Sequence, residues 1–497
     1  MQRYVLAIDE GTTNAKACLV DEQGQLVRSA SRALGITFPR PDWVEQDARE
    51  LWEATRSAAA EVLDGLAGGA VAAIGISNQR ESVLLWDRQT GQPLGPCITW
   101  QCHRTAEFCA QLRAEGHGPM VQRRTGLALD PMFSASKARW LLDQVPDGRA
   151  RAANGELCVG TVDAWLLWQL TSGQAFCTDV TNASRTQLFN LAALDWDPCM
   201  LDLFGVPREA LPDIRLSAAA LGVVRGVMGI PSGVPVAAMV GDSHAALFGH
   251  AAFAPGLVKA TYGTGSSLMT ATPNLVHSAR GLSTSVAFGH EKAVYALEGN
   301  IYTTGAAVEW LADLLGLGSP AALEAMAASE SRGVYFVPAL VGLGAPHWRD
   351  DARGTISGLA RGSTRAELAR AGLEAVGYQI RDVFDCMAQE AGTPLTALLA
   401  DGGATRNGSL MQFQADILGV PVLVSQVAEV SALGAAYLAG LTVGLWPSRE
   451  AVAALDRPQV RFEPRISSER RAALYAGWQQ ALGRTLWSKA PEAEEGQ

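Results

Sequence analysis

The sequence predicts an α/β protein of more than one domain. Short apolar runs bounded by turn-forming residues alternate with a segment whose apolar residues fall at helical spacing. A strand, Gly/Thr turn, strand device near the N-terminus also returns past the midpoint of the 497 residues. A chain of that length holds roughly two to four domains.

Tyr4 to Asp9 reads as a short apolar strand, Glu10-Gly11-Thr12-Thr13-Asn14 as a turn, and Ala15 to Val20 as the return strand; Asp21-Glu22-Gln23-Gly24 then turns toward a third. Residues 47 to 66 read as a helix, because Leu51, Ala54, Ala58, Val62 and Leu66 share one face. Val71 to Ser77 and Ser82 to Trp86 are further strands, the latter followed by the turn Asp87-Arg88-Gln89-Thr90-Gly91. The device restarts with Val258 to Tyr262, the turn Gly263-Thr264-Gly265-Ser266-Ser267, and the return Leu268 to Thr270. Pro255-Gly256 interrupts the preceding helical segment, which divides the chain into halves 1–250 and 251–497. The likeness between the halves is local in sequence. The last residues, Pro491 to Gln497, read as a solvated tail.

With 48% hydrophobic and 18% charged residues, the composition supports a large core and excludes wholesale disorder. Forty Lys plus Arg against fifty Asp plus Glu give a net charge of -10, which argues against nucleic-acid binding. Eight cysteines without regular spacing suggest free buried thiols in a reducing compartment, and Cys97 with Cys102-His103 lacks the second ligand pair of a zinc site. The first apolar run is too short for a secretory signal, and Arg225, Pro231 and Pro235 interrupt the apolar stretch from Leu216 to Val240. No membrane span is expected, and the expected location is cytoplasmic.

Gly11-Thr12-Thr13 and Gly263-Thr264-Gly265 can each form an anion-binding nest of backbone N–H groups and hydroxyls, or serve as ordinary hairpin turns. Asp401-Gly402-Gly403-Ala404 sits at a strand-to-helix junction, where paired glycines suit either close packing or a backbone lying flat against a nucleotide. Asp242 opens a helix after an apolar strand, so it is an N-cap or a general base facing a cleft; His244 reads as a pocket-wall or capping residue. Arg80-Glu81 and Trp100 lie at strand ends, where they suit the walls of a small polyhydroxy ligand; the alternative for Arg80 and Glu81 is an exposed surface pair. The helix after Trp100 is expected from Arg104.

These stretches occur together and in one order, and on them the chain resembles the FGGY family of carbohydrate kinases. The resemblance runs nearly end to end, through Ala7-Ile8-Asp9-Glu10-Gly11-Thr12-Thr13, Ser77-Asn78-Gln79-Arg80-Glu81, Trp100-Gln101-Cys102-His103-Arg104, Thr181-Asn182-Ala183-Ser184-Arg185-Thr186, Tyr262-Gly263-Thr264-Gly265 and Asp401-Gly402-Gly403-Ala404. It implies two actin-like, ribonuclease-H-like domains flanking a cleft, with a polyol on the N-terminal side and ATP on the C-terminal side. It implies phosphorylation of a terminal hydroxyl of glycerol or a close polyol, with Mg²⁺, in a homo-oligomer (dimer or tetramer). By position it makes Asp242 the catalytic base and Asp9 the magnesium carboxylate. Arg80, Glu81, Trp100, Met132 and Ser243 fall to the acceptor, and Thr12, Thr13, Asn14, Lys16, Thr264, Gly265, Gly305, Glu309, Gly403 and Asn407 to the nucleotide.

The departures are informative. Family members that act on glycerol carry tyrosine at Met132, glutamine at Ser243 and phenylalanine at Ser267, so this chain loses two hydrogen-bonding groups and gains room. A longer polyol or a ketose, of erythritol or xylulose type, is the alternative acceptor. A nucleotide-binding regulator without turnover is the alternative of another class. Glu309 replaces a glutamine and Lys16 an arginine beside the nucleotide, and Arg225 to Ile230 lacks the basic loop that binds a sugar bisphosphate inhibitor.

Overall fold

Val5, Leu6, Ala7 and Ile8 are all buried, a run with no polar face, and such a strand needs cover on both sides of its sheet. The computed structural model, which describes residues 2–67 and 69–487, supplies that cover. The tail expected at Pro491 to Gln497 lies outside the described residues.

In the first sheet β1 (Tyr4–Glu10) pairs antiparallel with β2 (Asn14–Asp21), and β2 with β3 (Leu26–Ala33). On its other side β1 is parallel to β4 (Val71–Asn78). The edge strand β5 (Ala218–Val223) is antiparallel to β6 (Pro235–Gly241), which is in turn parallel to β4. In the second sheet β7 (Leu257–Tyr262) is antiparallel to β8 (Ser266–Thr272). The strand β9 (Ser283–Gly289) is antiparallel to β10 (Ala293–Ile301), which pairs antiparallel with β8. β7 is parallel to β11 (Ala397–Asp401), β11 is parallel to β12 (Val422–Ser425), and β13 (Gln459–Phe462) closes the edge. Five strands of each sheet thus follow one spatial order, three antiparallel and then two parallel. The likeness that is local in sequence is a repeated topology in space.

Helix α1 (Ala48–Leu63) starts where Asp47 accepts the backbone N–H groups of Arg49 and Glu50, and it buries Leu51, Ala58 and Val62. Helix α2 (Asp242–Gly249) comes directly after β6. On the second sheet lie α3 (Gly305–Leu314), α4 (Arg365–Glu390) and α5 (Gly408–Leu418), whose apolar faces share its core. Helix α6 (Val430–Thr442) is different, since it packs on β1, β4 and β6 of the first sheet and against α2. Its approach to α2 depends on Gly434, where an added Cβ would lie 1.8 Å from the carbonyl oxygen of Ala245. Residues from both ends of the chain therefore share one core, with Val5, Ala7 and Val240 against Ala435, Leu438 and Met269.

Some local expectations shift. The helix expected from Arg104 begins at Ala106, and the stretch from Leu216 to Val240 folds as β5 and all of β6 but its last residue. Among the described residues no helix is long and apolar enough to cross a membrane. All eight cysteines are free; Cys199 is exposed and Cys386 half-buried, contrary to the expectation of buried thiols throughout.

Candidate active site

Three parallel strands end in register. Asp9, Ser77 and Val240 form one row across β1, β4 and β6, and Glu10, Asn78 and Gly241 form the next. The residues just past these strands therefore emerge at one edge of the sheet: the turn Gly11 to Thr13, the pair Arg80 and Glu81, and Asp242. Buried polar groups brace that edge. Asn78 and Asn182 exchange side-chain hydrogen bonds of 2.9 and 3.0 Å, and the Gly241 N–H donates to Thr181 Oγ1 at 2.9 Å. Asp179 accepts from Thr181, Asn182 and Ser217, so the ends of β4 and β6 are tied to one anchor.

Asp242 is the first residue of α2 and not its N-cap, a position taken by Gly241. Its Oδ1 accepts the N–H of Ser243 at 2.6 Å and lies 3.1 Å from Arg80 Nε. The side chain is 40% exposed while Arg80 is buried, which leaves the carboxylate open to a ligand over a fixed guanidinium. Ser243 Oγ accepts from Arg80 Nη2 at 3.3 Å. His244 is fully buried and bonded to Ser285 at 3.3 Å, so it is neither a pocket wall nor a cap; burial and the Arg80 charge push it well below the usual histidine range.

Arg80 and Glu81 are not an exposed pair. Arg80 turns to Glu298 on β10, at 2.8 Å, and Glu81 turns to Arg185, at 2.6 Å. Arg185 Nη1 in turn lies 2.9 Å from Glu298, so charges alternate from Asp242 through Arg80, Glu298 and Arg185 to Glu81. Burial alone would raise Glu298, yet the charges of Arg185 and Arg80 hold it well below the usual carboxylate range. Glu81 adopts φ 62, a left-handed conformation that is uncommon for a glutamate and recurs at functional sites.

Trp100 is partly exposed and donates its indole N–H to Thr12 Oγ1 at 2.9 Å. Met132 is half-buried, and the buried Lys137 ties it to the residue before Trp100, donating to the carbonyls of Thr99 at 2.8 Å and Met132 at 2.6 Å. In the same turn as Thr12, Thr13 is exposed and accepts from Asn14 Nδ2 at 3.1 Å. Lys16 is paired with Glu429 at 2.8 Å, and that carboxylate raises its ammonium pKa against the pull of burial. Asp9 accepts from Ser77 Oγ at 2.6 Å; burial, with the charge of Asp242 added, pushes its carboxyl up to about 6. An acidic oxygen donor that is costly to ionise suits a hard cation such as magnesium, which needs only one or two carboxylates besides phosphate oxygens.

On the second sheet the turn Gly263 to Gly265 leaves Thr264 exposed. Its carbonyls receive the start of α3: Gly305 N–H donates to Gly263 at 3.1 Å and Ala306 N–H to Thr264 at 3.1 Å. A Cβ at Gly305 would stand 2.5 Å from the Gly263 oxygen, so this glycine seats the helix under the turn. Glu309 is exposed on α3. After β11, Gly402 has φ +96 and a Cβ there would meet Tyr262 at 2.4 Å, whereas a Cβ at Gly403 would make only an ordinary contact with the Arg406 side chain at 3.7 Å. Asn407 caps α5, accepting from Leu410 N–H at 2.8 Å. Beneath lies a buried pair, His250 Nε2 to Asp401 at 2.7 Å.

Two family models cover the chain: the N-terminal domain of the FGGY family of carbohydrate kinases matches residues 4–249 and its C-terminal domain residues 258–443. The chain belongs to the FGGY family of carbohydrate kinases. It is 49% identical to the glycerol kinase of Stenotrophomonas maltophilia over 495 residues, covering 97% of this chain and 98% of that protein. It is equally 49% identical to the apulose kinase of Pectobacterium atrosepticum over 486 residues, with the same coverage. A crystal structure of Plasmodium falciparum glycerol kinase with ADP superposes with a TM-score of 0.93 at 34% identity, covering 98% of this chain and 99% of that one. The fold of this FGGY kinase is accordingly the expected pair of actin-like, ribonuclease-H-like sheets.

Residue-level reading missed Glu298, Arg185, Lys137 and Glu429 as parts of the site. One signal was available for Glu298: a lone carboxylate after Ala296 and Leu297, inside an apolar strand, needs a buried cation. Which cation meets it is not encoded locally.

Proposed function

We propose that this FGGY kinase transfers the terminal phosphoryl group of ATP to a terminal hydroxyl of glycerol, giving glycerol 3-phosphate. The division at 250/251 separates an acceptor half from a nucleotide half, and the enzyme works as a cytoplasmic homo-oligomer, dimer or tetramer, without sugar-bisphosphate feedback. Asp242 is the catalytic base that takes the hydroxyl proton. Arg80 and Glu81 bond acceptor hydroxyls, Trp100 packs on its carbon edge, and Met132 and Ser243 complete the wall. Thr12, Thr13, Asn14 and Lys16 face the phosphates from one half, Thr264 and Gly265 from the other, while Gly305, Glu309, Gly403 and Asn407 surround the rest of the nucleotide. Asp9 would hold magnesium, which when bound supplies neutralisation of phosphate charge. Phosphoryl transfer depends on positioning and charge stabilisation more than on covalent help from the protein, and two turns plus a fixed base provide that.

The observation that carries the reading is Asp242, open at its carboxylate yet anchored through Arg80 at 3.1 Å on the same sheet edge as the turn at Thr12. A second reading keeps the chemistry and enlarges the acceptor to a ketose. The Ser243 hydroxyl is engaged by Arg80 and the Ser267 hydroxyl by Glu298 at 3.1 Å, so neither stands in for the larger glutamine and phenylalanine that the resemblance leads one to expect there. The equal identity to an apulose kinase favours the same alternative. Comparing kcat/KM for glycerol, erythritol, xylulose and apulose in an ADP-release assay decides between them: the highest value for glycerol supports the first reading, for a ketose the second. D242N should lower kcat by about 10²-fold or more with acceptor KM little changed. Full activity in D242N would end the assignment of the base.

A further inference from the structure

Glu298 enters the acceptor site from the opposite sheet. It sits on β10, its side chain is fully buried, and it stands between two guanidiniums from the first half: Arg80 Nη1 at 2.8 Å and Arg185 Nη1 at 2.9 Å. Each guanidinium then reaches one carboxylate assigned to the reaction. Arg80 Nε lies 3.1 Å from Asp242, and Arg185 Nε lies 2.6 Å from Glu81. Ser267 Oγ donates to Glu298 Oε1 at 3.1 Å and fixes its rotation. A buried carboxylate ion-paired with two cations is costly unless all are held together, so the group has essentially one arrangement.

We infer that Glu298 is the positioning residue of the acceptor site: from the second sheet it orients Arg80 and Arg185, and through them Asp242 and Glu81, so the acceptor subsite forms only with both sheets in place. Without Glu298 the two guanidiniums would repel one another and lean on the reactive carboxylates, displacing the groups that bind hydroxyls. Thr12 and Thr264 themselves have no hydrogen bond to Glu298, whose one link to the second turn is the Ser267 hydroxyl at its far end, so the residues assigned to the phosphates keep their geometry. This inference rests on the acceptor assignment above, and its test carries an arm that does not depend on activity.

The experiment is E298Q, which keeps the shape and removes the charge, with S267A as a milder variant that removes only the hydroxyl bond. For E298Q in the presence of ATP and the best acceptor, acceptor KM should rise about tenfold or more while KM for ATP stays within about twofold. S267A should move acceptor KM the same way by about threefold. A general loosening would move both KM values, or lower kcat alone. A crystal structure of E298Q, or of S267A should E298Q not fold, should show Arg80 displaced toward Asp242 from its wild-type position, in which Nε stands 3.1 Å from that carboxylate. Guanidiniums that stay in place, or an acceptor KM that does not change in the folded variants, would overturn the inference. A wild type inactive on every acceptor defeats the acceptor assignment alone, because the displacement of Arg80 is still read from the structure.

Discussion

Trp100 donates its indole N–H to the Thr12 hydroxyl over 2.9 Å, which joins the residue proposed as a wall of the acceptor site to the turn proposed to hold the phosphates. With those roles, acceptor binding on one side is coupled to geometry on the other. W100F keeps most of the packing and removes the bond. Its expected effect is a roughly fivefold rise in acceptor KM, from the loss of about 1 kcal/mol, with a smaller rise in KM for ATP. Steady-state kinetics with both substrates varied measures this, and an unchanged acceptor KM would show that the bond is incidental.

Lys16 is held by Glu429, from the segment just before α6, at 2.8 Å. In the proposed role of Lys16, bound phosphates have to compete with that carboxylate for the ammonium. E429Q should therefore lower KM for ATP, by up to about fivefold given that partly exposed ion pairs contribute about 0.2–1 kcal/mol. A higher KM in E429Q would mean that Glu429 presents Lys16 to the phosphates and does not compete for them.

Asp163 is fully buried beside the Asp179 anchor, where it accepts from Thr178 Oγ1 at 2.7 Å and from the N–H of Asp179 at 3.4 Å; burial together with the charge of Asp179 pushes its carboxyl up to about 6. In the unfolded chain the same group titrates near 4. Between those values the unfolded state holds fewer protons than the folded one, so stability falls as pH rises from about 4 to about 6 and levels off above. D163N removes this contribution. Urea denaturation of wild type and D163N at pH 4 and pH 7 should show D163N gaining on wild type by about 1–3 kcal/mol at the higher pH. A difference independent of pH would contradict the assigned titration.

Gly434 lets α6 lie on α2, and a methyl there would overlap the Ala245 carbonyl at 1.8 Å. Because the obstacle is backbone, it cannot rotate away. G434A should cost about 2 kcal/mol or more and lower Tm by several degrees, measured by calorimetry. Unaltered Tm would show that the helices shift apart without penalty.

Much of the fold was legible because local chemistry dictates it. Tyr4 to Asp9 and Val258 to Tyr262 are apolar runs ended by Gly/Thr turns, and the strands and turns form where expected. Asp47 stops α1 from extending backward with its own side chain. Thr12, Arg80, Trp100 and Asp242 were identifiable as candidates because each lies at or just past a strand end, where backbone is free to meet a ligand, whereas Asp9 was marked only by the family resemblance.

What the chain alone left open were the pairings. Arg80-Glu81 reads as an ion pair between neighbours, yet consecutive side chains at a strand end diverge, and each finds its counter-charge more than a hundred residues away. Asp242 could have capped its helix, until β6 in register with β4 placed it against Arg80. Sequence determined the two sheets and the residues that leave their edges, because hydrophobic period and turn chemistry act over a few residues. Only the tertiary structure decided which charges share a site, because desolvated ions seek any opposite charge that packing brings within about 3 Å, however distant along the chain.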